Sequence, residues 1–146
     1  NIIPLREQQS AGYRIVNGGL GGTMAAVSRG ARASSKATGA DVIGIVPSHH
    51  HADANPWCDI VVPSGLGLGR NLLVAATGEA VVAVGGGSGT LSEVALAWQL
   101  GRPVIAFGDQ GWAGRLAGQA LDNKRPGRVE AAHNIQAVLD HLAKVL

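Results

Sequence analysis

The chain has few of the residues that mark several large classes of protein. It has one cysteine, Cys58, among 146 residues, which excludes an internal disulfide and a cysteine-based zinc site. Aromatic residues make up 3% of the chain and the formal net charge is only +2, so the basic surfaces and aromatic platforms of nucleic-acid-binding proteins are missing. No apolar run approaches the roughly 18 residues of a membrane span, and no signal peptide is visible. We therefore expect a cytoplasmic protein that binds neither nucleic acid nor membrane.

Glycine, in contrast, is abundant. The chain has 22 glycines, although its 46% hydrophobic and 15% charged residues are ordinary for a globular protein. A chain of this length can bury one good core, so we predict a single domain over residues 1–146. Many of the glycines lie in three short segments, at residues 17–22, 65–69 and 85–89.

The third glycine segment predicts an anion-binding turn. Residues 81–84 are all apolar, which predicts a strand buried on both faces, and apolar residues at helical spacing follow from Leu91 to Trp98. A tight turn between such a strand and a helix presents free backbone N–H groups and the positive end of the helix dipole at one point. We predict that a phosphate group binds there, on the segment Gly85, Gly86, Gly87, Ser88, Gly89 and Thr90.

Strand and helix patterns alternate along the chain. We predict strands at 13–16, 42–46, 59–62, 81–84 and 104–107, and helices at 23–33, 70–78, 90–100, 111–121 and 133–145. This order is typical of an α/β fold with a mostly parallel sheet covered on both faces. Each glycine segment follows a strand, so we expect the three to converge at the carboxyl ends of the strands, where such sheets bind ligands. Residues 2–11 resemble the end of a helix; either residues before Asn1 supply the first strand, or the sheet is one strand short.

Several familiar motifs are excluded because the chain lacks residues that they require. A dinucleotide-binding loop and a nucleophile elbow would both need glycine at Thr90, and no Walker lysine follows the glycines. We therefore interpret Ser88 as a phosphate donor or a loop residue and not as a nucleophile. His49, His50 and His51 with Asp53 are interpreted as a solvated loop, because adjacent side chains diverge and no second cluster adds ligands. We expect no metal site.

The glycine segments together resemble a known family. The stretch Gly85–Glu93 is similar to the G-G-x-G-T-x-x-E signature of the LOG-like Rossmann superfamily, which includes cytokinin-activating phosphoribohydrolases and molybdenum cofactor carrier proteins. The resemblance includes residues 17–24, 44–47 and 65–71 and covers about residues 12–107. It implies a Rossmann-like three-layer sandwich that assembles into homodimers or homotetramers.

Two branches of that superfamily give two functions for the same site. In the phosphoribohydrolases an arginine and the signature glutamate act on the N-glycosidic bond of a nucleoside monophosphate, and Arg70 and Glu93 match those positions. That branch usually has proline where Gly85 stands and lysine where Asn71 stands. The resemblance is therefore nearer to the carrier branch, whose known role is to bind molybdenum cofactor, a pterin that bears a phosphate.

Each charged or hydroxyl residue of the site also has a structural interpretation. Arg70 begins a predicted helix, where a cation is unfavourable, and this position indicates an anionic partner, either Glu93 or a bound phosphate. A carboxylate in the first turn of a helix is favourable in itself, so the position of Glu93 does not require catalysis. Thr90 could serve as an N-cap or as a phosphate contact.

Our main hypothesis is a binding protein for a phosphate-bearing small molecule, either an AMP-like nucleotide or molybdenum cofactor. Its phosphate would lie on the amides of Gly86–Thr90, with Gly18 and Gly19 on the opposite side, while Arg70 neutralises charge and Asn71 adds hydrogen bonds. The alternative is a nucleoside 5′-monophosphate phosphoribohydrolase with Arg70 and Glu93 as catalytic residues. A third, non-catalytic hypothesis is a nucleotide-sensing or scaffold subunit.

Overall fold

The computed structural model describes residues 12–146, in which strands and helices alternate. These residues fall into two compact units, one that ends at Val74 and one over Ala75–Leu146. Each unit holds a three-stranded sheet whose strands are all parallel. The predicted α/β fold with parallel strands is thereby confirmed. The helical pattern at residues 2–11 lies outside the described residues, and a single domain over the whole chain stays a prediction.

The sheet of the first unit has the strand order β1-β2-β3. Its strands are β1 (Ile15–Asn17), β2 (Val42–Val46) and β3 (Ile60–Pro63), and helix α1 (Thr23–Arg32) joins the first two. Short 3-10 turns at His51–Asp53 and Gly67–Gly69 lead into β3 and into helix α2 (Arg70–Thr77). β-Branched residues dominate β1 and β2, and the small core of this unit includes Val16, Ile45 and Val74.

The sheet of the second unit has the order β4-β5-β6. Its strands are β4 (Val81–Val84), β5 (Val104–Phe107) and β6 (Glu130–Ala132), and its helices are α3 (Ser88–Gln99), α4 (Gly111–Leu116) and α5 (Ile135–Val145). Val94 and Trp98 from one face of α3 pack into the core of this unit. The helical spacing of Leu91, Val94, Ala95 and Trp98 predicted one buried face; Val94 and Trp98 are buried, whereas Leu91 and Ala95 are only partly buried.

The helix ends follow from local chemistry. At the end of α3, Gly101 has φ +72°, its N–H donates to the Trp98 carbonyl at 3.1 Å, and the Arg102 N–H donates to the Ala97 carbonyl at 2.9 Å. This is a Schellman motif, which confirms the predicted glycine cap. The side chain of Asn134 caps α5 by accepting from the Ala137 N–H at 2.9 Å. None of the helices in residues 12–146 has both the length and the apolar character that a membrane crossing needs.

Several predicted bounds differ from the structure by one or two residues, and three differences have a clear physical reason. The first strand ends at Asn17, not at residue 16, because the parallel register pairs Asn17 with Gly44. The helix predicted at 111–121 ends at Leu116, since Gly118 has φ +74° and its N–H donates to the Val129 carbonyl. Strand β6 was not predicted, because Glu-Ala-Ala has no strand pattern of its own; its pairing with β5 stabilises it.

Candidate functional site

Arg70 begins α2, and its side chain is buried against the glycine segment that follows β1. Only 8% of its surface is exposed. A Cβ atom added to Gly18 would lie 2.5–2.6 Å from three atoms of the Arg70 guanidinium, so any side chain at position 18 would displace that group. The Arg70 Nη1 donates to Asn71 Oδ1 at 2.8 Å. A buried cation therefore contacts the backbone of Gly18 at the carboxyl end of the sheet, where parallel sheets bind ligands.

Gly19, in the same loop, packs closely against β2. It has φ +70°, which favours glycine, and a Cβ there would lie 2.8 Å from Val46 Cγ1 and 3.3 Å from Gly44 Cα. The structure thus brings together all four site residues predicted within this unit, with Gly18 and Gly19 on the loop after β1 and Arg70 and Asn71 at the start of α2.

Two asparagines hold this glycine loop in place. Asn17 is fully buried, and its Oδ1 accepts from the Gly19 N–H at 2.8 Å while its Nδ2 donates to Ser28 Oγ at 3.0 Å. From the other side, the Asn55 N–H donates to the Gly19 carbonyl at 2.7 Å and its Nδ2 donates to the Leu20 carbonyl at 3.0 Å. Sequence reasoning missed both residues. For Asn17 a signal existed, because asparagine readily accepts from the N–H two residues further along.

The second glycine segment, at residues 65–69, and the residue before it are hydrogen-bonded to the end of β2 and the loop that follows. Ser64 Oγ donates to the Val46 carbonyl at 2.7 Å, and the Gly65 N–H donates to the Ser48 carbonyl at 2.9 Å. The exposed ring of His49 fills the space that a Cβ on Gly65 would need. In the part of the chain that the structure describes, no three His, Cys, Asp or Glu side chains are grouped as metal ligands.

Cys58 is half-buried. Burial raises the pKa of the thiol, and hydrogen bonds with Ser28 and Asn55 oppose this effect without overcoming it. Its Sγ also occupies the space beside Gly44. Because the thiolate is the reactive form, Cys58 is a packing residue in this environment.

The third glycine segment joins β4 to α3 in the second unit. Gly85 and Gly86 have φ of +49° and +82°, and residues 86–89 are exposed. Helix α3 begins at Ser88, two residues earlier than predicted, because Gly87 is the N-cap. Thr90 is therefore not the N-cap: it is buried in the first turn, where its Oγ1 fills the space beside Gly86.

The start of α3 is open. Its N-cap makes no side-chain hydrogen bond, and a Cβ on Gly87 or Gly89 would meet no atom within 4 Å among the described residues. The first backbone hydrogen bond of the helix is donated by the Leu91 N–H to the Gly87 carbonyl, at 3.1 Å. The amides of Ser88, Gly89 and Thr90 thus precede the helical hydrogen-bond pattern, as first-turn amides do. Exposed first-turn amides are a common binding point for anions.

Helix α4 contacts the glycine turn at Gly85–Gly86 through hydrogen bonds and close packing. The Ala113 N–H donates to the Gly85 carbonyl at 3.0 Å, and the Trp112 N–H donates to the Gly86 carbonyl at 3.1 Å. A Cβ on Gly111 would lie 2.5–2.7 Å from atoms of the Gly85–Gly86 backbone. Sequence reasoning did not connect this glycine with the site.

Glu93 is 5% exposed and lies on α3 one turn beyond the open amides. It shares the second unit with Gly85, Gly86, Gly87, Ser88, Gly89 and Thr90, whereas Arg70 belongs to the first unit. The pairing of Arg70 with Glu93 therefore stays a prediction. Taken separately, one unit offers a buried guanidinium and the other offers exposed amides, and both kinds of group bind phosphate and carboxylate groups.

Solved structures of similar proteins cover nearly the whole chain. The crystal structure of TM1055, a structural-genomics target, superposes with a TM-score of 0.86 at 31% identity and covers 96% of this chain and 83% of its own. A molybdenum cofactor binding protein from Rippkaea orientalis follows at 0.81 and 29%, covering 96% and 82%. The molybdenum cofactor carrier protein of Chlamydomonas reinhardtii superposes at 0.79 and 28%, with the same coverage.

Sequence comparison agrees with this structural likeness. An uncharacterized protein of Archaeoglobus fulgidus is 38% identical over 96 residues, which are 66% of this chain and 60% of that relative's length. The family model of the SLOG cluster4 family matches residues 9–139. The chain therefore belongs to the SLOG cluster4 family, within the LOG-like superfamily indicated by its glycine motifs.

Proposed function

We propose that this protein is a cytoplasmic carrier that binds a phosphate-bearing small molecule, with molybdenum cofactor as the first candidate and an AMP-like nucleotide as the second. The observation that carries the proposal is the buried Arg70 guanidinium in contact with Gly18. A buried cation attracts an anion strongly because little water screens it. The exposed amides at the start of α3 and the names of two similar structures support the same ligand class.

Each residue then has a defined task. Arg70 neutralises phosphate charge, and Asn71 holds the guanidinium by accepting from Nη1. In the second unit, taken by itself, the amides of Gly86–Thr90 are donors of the kind that bind phosphate oxygens at helix starts elsewhere. A carrier needs no reacting group, so Glu93 serves the structure of the site. The ligand is cargo in this proposal.

Two alanine substitutions in one loop test the carrier. Gly18→Ala places a methyl group against the guanidinium, and we expect the affinity for AMP and for molybdenum cofactor to fall at least about tenfold. Gly21→Ala is the matched control, because a Cβ at that position meets no atom within 4 Å and its φ is not positive. Native mass spectrometry and isothermal titration measure the binding. Equal affinities for Gly18→Ala and the wild type would show that Arg70 does not contact the ligand.

A phosphoribohydrolase is the second candidate, because Glu93 is a buried carboxylate within one turn of the open amides. Water would attack the anomeric carbon, the bond from that carbon to the base nitrogen would break, and the proton lost by the water would go to the released base. Glu93 would stabilise the ribosyl cation or orient the water. Release of free base from nucleoside monophosphates, lost in Glu93→Gln, would favour this enzyme. Binding that survives Glu93→Gln, with no turnover in either protein, would favour the carrier.

We further propose that the protein assembles as a homodimer or homotetramer, as its resemblance to the superfamily implies. Sedimentation analysis with and without AMP tests this assembly. A monomer at all concentrations would contradict it, and a change of mass on adding AMP would favour the nucleotide-sensing subunit over a simple carrier.

A further inference from the structure

The contact between α4 and the glycine turn is closer than ordinary packing. Gly111 has φ +60°, and a Cβ there would lie 2.5 Å from the Gly85 carbonyl carbon, 2.6 Å from the Gly86 oxygen and 2.7 Å from the Gly86 nitrogen. A side chain at position 111 is therefore excluded twice, by the backbone angle and by the neighbouring peptide. Only glycine lets α4 approach the Gly85–Gly86 peptide this closely.

This approach fixes the direction of two peptide groups. The carbonyls of Gly85 and Gly86 both accept from amides of α4, those of Ala113 and Trp112. In a trans peptide the N–H points opposite to the carbonyl of the same peptide plane, and the described chain has no cis bonds. The N–H groups of Gly86 and Gly87 therefore point away from α4. They are followed directly by Ser88, Gly89 and Thr90, whose amides precede the helical hydrogen-bond pattern of α3.

We propose that Gly111 is a positioning residue for the phosphate site: it lets α4 hold both carbonyls, so that the amides of Gly86 and Gly87 are available to a phosphate group. The inference rests on the proposed function and deepens it. It predicts that phosphate itself is recognised by the backbone of the Gly86–Thr90 segment. No side chain on α4 needs to touch the ligand.

The same connection offers a matched control for backbone strain. Gly108 lies between β5 and α4 with φ +78°, but a Cβ on it would meet no atom within 4 Å. Gly108→Ala and Gly111→Ala therefore impose similar backbone strain, and only the second disturbs the glycine turn. A purely structural role for Gly111 predicts that both variants lose stability and that neither changes phosphate recognition.

The experiment is a titration with inorganic phosphate, followed by the backbone amide NMR signals of the full chain at a temperature where circular dichroism shows each protein folded. In the wild type we expect shifts at Gly86 and Gly87. Gly111→Ala should lose at least about tenfold in phosphate affinity, and Gly108→Ala should stay within about twofold of the wild type. Wild-type affinity in Gly111→Ala overturns the inference.

Hydrogen exchange on the wild type keeps the inference testable if Gly111→Ala does not fold. We expect slow exchange at Trp112 and Ala113 and fast exchange at Gly86 and Gly87, with phosphate slowing only the second pair. Fast exchange at Trp112 and Ala113 overturns the inference. If phosphate leaves all these amides unchanged while AMP or molybdenum cofactor still binds and Gly18→Ala weakens it, the inference fails and the proposed function stands. If none of these ligands binds, both fail.

Discussion

At Gly89, an added carboxylate would have opposite effects on helix stability and on anion binding. The residue lies in the first turn of α3, its added Cβ meets open space, and its φ is not positive. Gly89→Ala should raise the free energy of unfolding by about 0.5–1 kcal/mol, because glycine is a poor helix residue. Gly89→Asp should be at least as stable as the wild type, because a carboxylate is favourable at a helix start.

The same aspartate should abolish binding of AMP or phosphate through its bulk and its charge, whereas Gly89→Ala should retain binding. Urea denaturation measures the stability and calorimetric titration measures the affinity. Because stability and binding are expected to change in opposite directions in Gly89→Asp, loss of binding could not be attributed to unfolding. Undiminished affinity in Gly89→Asp would mean that the amides of α3 do not bind the anion.

Asp41 predicts how stability responds to acid. Its carboxylate accepts from the N–H and the Oγ1 of Thr38, and the Thr38 backbone hydrogen bond is the main cause that lowers the pKa of Asp41 below its usual 3.8. A carboxyl group with a lowered folded-state pKa adds stability above its unfolded pKa and loses it as the pH falls through the folded pKa. Asp41→Asn should therefore destabilise the protein at neutral pH and make its stability depend less on pH in the acid range.

Urea denaturation of the wild type and Asp41→Asn, at neutral pH and at about pH 3, measures this difference. Asp53→Asn is a suitable control, because Asp53 is exposed on a short 3-10 turn. A constant difference in unfolding free energy between the wild type and Asp41→Asn at both pH values would show that the Asp41 carboxylate does not stabilise the fold.

At the scale of elements, the segment between α4 and β6 is attached to α3 through one tryptophan. The guanidinium carbon of Arg125 lies 4.3 Å from the centroid of the Trp98 ring, and Arg125 Nη1 donates to the carbonyls of Trp98 at 3.1 Å and Arg102 at 3.0 Å. Asp122 Oδ1 accepts from Trp98 Nε1 at 3.0 Å, and this bond is the main cause of the lowered pKa of Asp122.

Arg125→Ala removes the ring contact and both carbonyl bonds. We expect the free energy of unfolding to fall by about 1–3 kcal/mol. Hydrogen exchange should also become faster in the segment between Gly118 and Val129. Arg128→Ala is the control, because that exposed side chain makes one described hydrogen bond, to the Gly118 carbonyl. If the two variants lose the same stability, Arg125 does not hold the segment.

Strands with strong local patterns were predicted to the residue. Val42–Val46, Val81–Val84 and Val104–Phe107 match their predicted bounds, because each is an apolar run in which at least half of the residues are β-branched, with glycine or proline at or near its ends. Strand β6 depends on its pairing with β5, and no local pattern encodes it. Its sequence could not distinguish it from a loop.

The candidate site shows the same division between local and distant causes. The glycine segments predicted an anion site, which stays a prediction; the positive φ angles of Gly85 and Gly86 and the open helix start that support it are local properties. The supports of those segments were missed: Asn55 is 36 residues from Gly19 along the chain, and Gly111 is 25 residues from Gly86. Such contacts exist only in the folded chain, so a single sequence gives no period or motif for them.

For the whole molecule, ligand binding should appear as thermal stabilisation. A ligand that binds only the folded protein adds about 2.7 kcal/mol at a concentration of one hundred times its Kd. For a chain of this size that corresponds to a Tm increase of roughly 5–10 °C. Differential scanning calorimetry with AMP or molybdenum cofactor measures the shift. Gly89→Asp should show no shift, and a shift as large as that of the wild type would contradict the site.

The hydrogen bonds from Asn55 to the carbonyls of Gly19 and Leu20 have a consequence for how a ligand would bind at this loop. The loop after β1 has its shape before any ligand arrives, because the rest of the chain supplies the bonds that fix it. A ligand that meets a ready-made loop does not have to order it, so little of its interaction energy is lost to conformational entropy. Under the proposed function, release of the ligand is then governed by how fast its own contacts break, so we expect substitutions in this loop to alter the residence time.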